Sequence, residues 1–222
     1  MLRIGLLFLA LTLGACGRGV PDDARVVVAG DSVMAWNRVE GASVADGLSR
    51  ALDVPVGDVS LPYASVSGVT GAGPLNIARQ VGRLDAPWVV VNGGANDLGI
   101  GCGRANQGML EALITPDGSK GAIPKLVRGL TERGSRVVWA DYYTSPKFAG
   151  TPCARLYADM EQRLGRMAEA MPAVFFVNMG DVIATSDSAM FDSDRIHPSP
   201  EGSRRIAALV AEAIRAADPT LR

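Results

Sequence analysis

Five short apolar runs recur along the chain: Val26–Ala29, Val54–Leu61, Trp88–Val91, Val137–Ala140 and Val174–Val177. Four of them are apolar at every position, the pattern of strands covered on both faces of a parallel sheet. The run from Val54 to Leu61 is poorer, broken by Gly57 and Asp58. Between the runs the spacing changes to a helical period. Trp36 to Leu52 reads as one helix weakened by Gly41, Asp46 and Gly47. Ile77, Ala78, Val81 and Leu84 share a helical face, Met109 to Ile114 is a shorter helix, and Ile123, Leu126, Val127 and Leu130 define another. Gly134 stands where a helix C-cap belongs. Leu156, Met160, Leu164, Met167 and Met171 form the packing face of a long helix stopped by Pro172, and Ile206, Leu209, Val210 and Ala213 mark the last. Strands alternating with helices predict an α/β protein: a three-layer α/β/α, flavodoxin-like fold around a five-stranded parallel sheet. The domain runs from residue 25 to 217, without an internal repeat.

The N-terminus breaks this pattern. Arg3 precedes an apolar stretch from Ile4 to Leu13, which is too short to span a bilayer and has the form of a signal peptide over residues 1–15. It closes on Leu13-Gly14-Ala15-Cys16, which resembles the lipobox of bacterial lipoproteins. The resemblance implies cleavage before Cys16, lipidation of that cysteine and a tether over residues 16–24. Gly17 in place of an acidic residue implies an outer-membrane anchor facing the periplasm. Membrane contact would then be through the N-terminal lipid only.

Charge excludes some partners. Lys+Arg and Asp+Glu number 22 and 23, with no basic cluster, so no nucleic-acid partner is expected. The remaining cysteines, Cys102 and Cys153, are expected to form a disulfide in an oxidising compartment, the alternative being two buried thiols.

The chemistry begins at Gly30-Asp31-Ser32. The turn after the first strand is not G-x-G-x-x-G, and no P-loop spacing exists, so no cofactor is expected. Met34 stands where a nucleophile elbow needs its second glycine. A single histidine excludes a multi-His zinc site, and no metal is expected. At the C-terminal end of its strand, Ser32 lies where parallel sheets place ligands. A nucleophilic serine needs a base, an orienting carboxylate and oxyanion donors. The only histidine, His197, lies in the loop from Asn178 to Pro200, three residues after Asp194. Gly68 follows the second strand and can offer an unobstructed N–H, and Asn96 follows the third. Each alone is an ordinary loop residue. Together they fall after strands one, two, three and five, at one edge of the predicted sheet.

Gly30-Asp31-Ser32, Gly68, Gly94-Ala95-Asn96-Asp97 and Asp194-Arg195-Ile196-His197 resemble, in order, the four blocks of the SGNH (GDSL) hydrolase family. The stretch Ala64-Ser65-Val66-Ser67-Gly68 resembles the bacterial periplasmic acyl-esterase, thioesterase and lysophospholipase group. Val33 replaces the leucine of the GDSL signature, and the stretch from Leu98 to Pro124 is long beside the smallest members. The resemblance implies Ser32 as nucleophile, His197 as base and Asp194 as its orienting carboxylate. It implies an oxyanion hole from the Ser32 and Gly68 N–H groups and the Asn96 amide. The expected reaction is cofactor-free hydrolysis of a small acyl ester or an acylated envelope substrate. Thioester or lysophospholipid cleavage, deacetylation of an envelope polysaccharide and acyl transfer are alternatives, as is a catalytically silent lipoprotein that binds ligand in the same crevice. Asp31 and Asp97 are expected to fix their loops by local hydrogen bonds. Tyr63, Tyr142 and Tyr143 sit on strand exits, either as cleft lining or as partly buried loop aromatics.

Overall fold

The computed structural model describes residues 19–69, 73–99 and 105–221. The proposed signal peptide, Cys16 and Cys102 lie outside them. The apolar runs become strands β1 (Val26–Ala29), β2 (Val56–Asp58), β3 (Trp88–Val91), β4 (Arg136–Asp141) and β5 (Val174–Asn178). All neighbouring pairs are parallel, in the order β2-β1-β3-β4-β5. Alternate side chains of each strand enter opposite cores, as the pleat requires. Val26 and Val28 pack with Leu48, Ile206 and Val210, under α2 (Val44–Leu52) and α8 (Pro200–Ala217). Val27 and Ala29 pack with Ile77, Leu110, Ile123 and Met160, under α3 (Ile77–Val81), α5 (Ala105–Leu113), α6 (Ala122–Thr131) and α7 (Pro152–Glu169). These two cores make the three layers. Among the described residues, no helix is long and apolar enough to cross a membrane.

Four features differ from the expectation. The single helix from Trp36 to Leu52 is two, α1 (Ser32–Ala35) and α2. Trp36 adopts an extended backbone and Asn37 a left-handed one, which stops α1. Ser43 and Asp46 then form a reciprocal capping box that starts α2, so Asp46 begins a helix rather than weakening one. Gly47 lets α2 approach α8, since a Cβ there would lie 2.6 Å from that of Ala207. β2 is also shorter than predicted. Val59 and Leu61 still donate to β1 and Gly30, but the Ser60 N–H turns to the Asp58 carboxylate. Finally, a short helix, α4 (Ala95–Leu98), forms directly after β3, and α5 begins before Met109.

At the end of β4, Asp141 is 2% exposed, and among the described residues its Oδ1 has no hydrogen-bond partner. Burial, with the nearby Glu161 charge, outweighs the Tyr142 N–H and pushes this carboxyl up to about 8. A folded-state value above the unfolded one means a stabilising contribution that is complete below about 4. It is lost as pH rises toward and through 8. Asp141→Asn should therefore be the more stable protein on the alkaline side. By calorimetry, its advantage in Tm should grow from near zero at pH 4 to about 5 °C at pH 9. A gap that does not change with pH would remove Asp141 as the cause.

Candidate active site

β1 ends at Gly30, whose φ of +136° places it beyond the reach of ordinary side chains. A Cβ there would lie 1.9 Å from Asn92 Oδ1, so the turn requires glycine. Asp31 caps α1 by accepting the Val33 N–H at 3.0 Å, which makes Ser32 the first helical residue. The same carboxylate accepts from Asn92 Nδ2 at 2.9 Å and from the Tyr142 hydroxyl. Asn92 Oδ1 in turn accepts the Asp31 N–H at 3.0 Å. Burial raises the Asp31 carboxyl despite these donors. The Tyr142 oxygen also accepts the Ala95 N–H at 3.3 Å. One buried network therefore ties the turn after β1 to the exits of β3 and β4. Its bonds span the fold, where the sequence had suggested only local ones around Asp31.

His197 lies beyond β5, and its Nε2 is 2.8 Å from Ser32 Oγ. Its Nδ1 is 2.5 Å from Asp194 Oδ2. The other carboxylate oxygen, Oδ1, accepts the Ile196 and His197 N–H groups at 2.8 and 3.0 Å. This curl requires a left-handed Arg195, at φ +58°. Burial raises the Asp194 carboxyl, but the His197 backbone and ring and the Ile196 N–H outweigh it. They hold the group below the ordinary range, so it is ionised. The imidazole is 17% exposed. Tyr143 braces this turn by donating to the Ile196 carbonyl at 2.8 Å.

The loop after β2 carries Gly68 in a left-handed conformation, at φ +82°. Asp97 Oδ2 and Oδ1 accept the Val66 and Ser67 N–H groups at 2.8 and 2.7 Å, fixing the approach to Gly68. Asp97 thus acts across the sheet edge and not within its own loop. Asn96 Nδ2 donates one hydrogen to the Ala64 carbonyl at 2.8 Å, and a primary amide carries a second. Tyr142 and Tyr143 support the turns, while Tyr63 is 75% exposed on the rim. Cys153 is buried in the first turn of α7.

The structure thus joins Ser32, His197 and Asp194 in one hydrogen-bonded line. It also ties the segments that carry Gly68 and Asn96 to each other. Sequence reasoning missed Trp36, Asn92 and the role of Tyr142. Asn92 had a signal, as the polar residue directly ending the apolar run of β3.

Comparison with known proteins agrees. Residues 28–205 match the family of GDSL-like lipases and acylhydrolases. Among solved structures, a proposed SGNH hydrolase from Slackia heliotrinireducens is 16% identical, with a TM-score of 0.59, over 87% of this chain and 100% of that one. A member of the lipolytic G-D-S-L family from Veillonella parvula is 14% identical, with a TM-score of 0.63, over 84% and 96%. A family 3 carbohydrate esterase from Clostridium thermocellum is 17% identical, with a TM-score of 0.61, over 88% and 97%. No curated protein sequence matches the chain. With the family pattern spanning residues 28–205 and the fold shared, the chain belongs to the GDSL-like lipase and acylhydrolase family.

Proposed function

We propose that the protein is a serine hydrolase of carboxylic esters that works through an acyl-enzyme on Ser32. The observation that carries this reading is the continuous line from Ser32 Oγ through the His197 ring to Asp194. An ionised Asp194 holds the proton on Nδ1, which leaves Nε2 as the acceptor. As Oγ attacks the ester carbonyl, Nε2 takes its proton and the ring becomes an imidazolium beside Asp194. The carbonyl oxygen becomes an oxyanion, to which the Ser32 and Gly68 N–H groups and the Asn96 amide donate. Collapse of the tetrahedral adduct transfers the Nε2 proton to the departing alcohol. Water, deprotonated by the same nitrogen, then releases the acid. The structural likeness to a carbohydrate esterase supports esterified carbohydrates as candidate substrates alongside simple acyl esters.

The test uses a fluorophosphonate probe and a short p-nitrophenyl ester. The protein should hydrolyse the ester, and the probe should attach to Ser32, identified by peptide mass spectrometry. Labelling elsewhere, or hydrolysis no faster than by Ser32→Ala, would favour the silent binding reading.

We further propose that the mature chain starts at a lipidated Cys16, sits in the outer membrane facing the periplasm, and carries a Cys102–Cys153 disulfide. The apolar stretch closing on Leu13-Gly14-Ala15-Cys16 supports the first two points. The pairing is supported by the burial of Cys153 in the first turn of α7, and by Cys102 being the one cysteine left for it once Cys16 is lipidated. Closing a loop of about 50 residues is worth roughly 4 kcal/mol in the chain-entropy model. The intact mass of protein extracted from outer membranes should show acyl chains on Cys16 and no alkylatable thiol. An unmodified Cys16, or two free thiols, would overturn the respective point.

A further inference from the structure

Trp36 touches three parts of the catalytic centre at once. Its backbone N–H donates to the Ser32 carbonyl at 2.9 Å, closing α1. Its indole ring lies flat on the His197 imidazole, with centroids 3.7 Å apart and planes inclined by 7°. Its Nε1–H donates to Asp192 Oδ2 at 2.7 Å, and this bond holds the Asp192 carboxyl below its ordinary range. Asp192 belongs to the turn that carries His197, and its N–H donates to the His197 carbonyl at 2.9 Å. The ring is therefore fixed at both ends, by α1 on one side and by the base's own turn on the other.

From this we propose that Trp36 is a positioning residue for the general base. It keeps the imidazole in the plane that joins Ser32 Oγ to Asp194, and its π face stabilises the imidazolium formed during attack. The proposal rests on the hydrolase reading above. The geometry suits both parts. An imidazole bonded at its two nitrogens can still rock about the line between them, and a parallel ring at van der Waals distance blocks that motion on one face. The indole face is electron-rich and attracts a cation more strongly than a neutral ring. It also keeps water off that side of the base.

Two carboxylates act on the imidazole: Asp194, bonded to its Nδ1, and Asp31, whose charge reaches it from the exit of β1. Asp192 lies on the same turn, bonded to the indole, and the Tyr143 hydroxyl, from the exit of β4, is bonded to the Ile196 carbonyl. Substitution at Trp36 disturbs one of them, Asp192, by removing its indole donor. Trp36→Phe makes that loss while keeping an aromatic face, so it is the reference for Trp36→Leu.

The test combines kinetics with NMR. His197 is the only histidine in the chain, so its ring protons are assigned without ambiguity. In the wild-type protein they should resonate upfield under the indole ring current, and in Trp36→Leu they should return toward their ordinary positions. Relative to Trp36→Phe, Trp36→Leu should lose about tenfold in kcat for a p-nitrophenyl ester, with little change in KM. Ring protons that do not respond to the substitution, or a Trp36→Leu protein with the kcat of Trp36→Phe, would overturn the proposal. If Ser32→Ala proves as active as the wild-type protein, the hydrolase reading fails instead, while the NMR result still reports on the stack.

Discussion

His197→Ala should fold and bind substrate yet turn over about 10⁴- to 10⁶-fold more slowly than the wild-type protein. The chain holds no other histidine, so no second imidazole can take the proton of Ser32. The neighbouring acids are poor replacements. Asp194 lies behind the ring and not beside Oγ, and Asp31 already accepts three hydrogen bonds, from Val33, Asn92 and Tyr142. What survives is the contribution of the oxyanion donors and of substrate binding. The measurement is kcat on a p-nitrophenyl ester, with Tm as the control for folding. Labelling by the fluorophosphonate should fail in parallel, because phosphonylation also needs the base. A variant within tenfold of wild type would show that His197 is not the base.

Asp194→Asn should be the second-largest loss, on the order of 10⁴ in kcat, and its cause follows from the two oxygens of this carboxylate. Oδ1 accepts two backbone N–H groups, from Ile196 and His197. In the amide, the carbonyl oxygen must keep that place, since an NH₂ there would face two donors. The NH₂ is then forced toward Nδ1 and donates to it, and the imidazole proton moves to Nε2. Ser32 Oγ now faces an N–H where it needs an acceptor. The fold should be preserved, with Tm within a few degrees. The single imidazole should report the changed tautomer directly by its ¹⁵N shifts. An Asp194→Asn protein with the wild-type tautomer and wild-type kcat would show that Asp194 does not orient the base.

The meeting of Ser32 and His197 was legible in the sequence because both follow apolar strands, β1 and β5, and parallel strands put their ends at one edge. The sheet was legible for the same reason: β1, β3, β4 and β5 are apolar at nearly every position, which few other structures demand. Its edge was harder to read. At β2 the Asp58 carboxylate serves Arg38 and Ser60, and no local rule says where the ladder stops. The break at Trp36 was obscured because a second helix, α2, follows after a short turn. The start signal of α2 was written in Ser43 and Asp46, but an aspartate also reads as a helix breaker. The supports of the site were the least visible. Tyr142 meets Asp31 across 111 residues, Asn92 meets it across 61, and Trp36 meets Asp192 across 156. Such pairs exist only once the sheet is built, and composition and spacing do not encode them.

Ser32 and His197 stand 165 residues apart, on the first strand's exit and beyond the last strand. During synthesis the serine therefore leaves the ribosome long before its base does. It stays an ordinary alcohol until β5 has joined the sheet and the final turn has closed over α1. Catalytic competence thus depends on both ends of the chain, and a polypeptide that lacks its C-terminal fifth carries the nucleophile without the means to fire it.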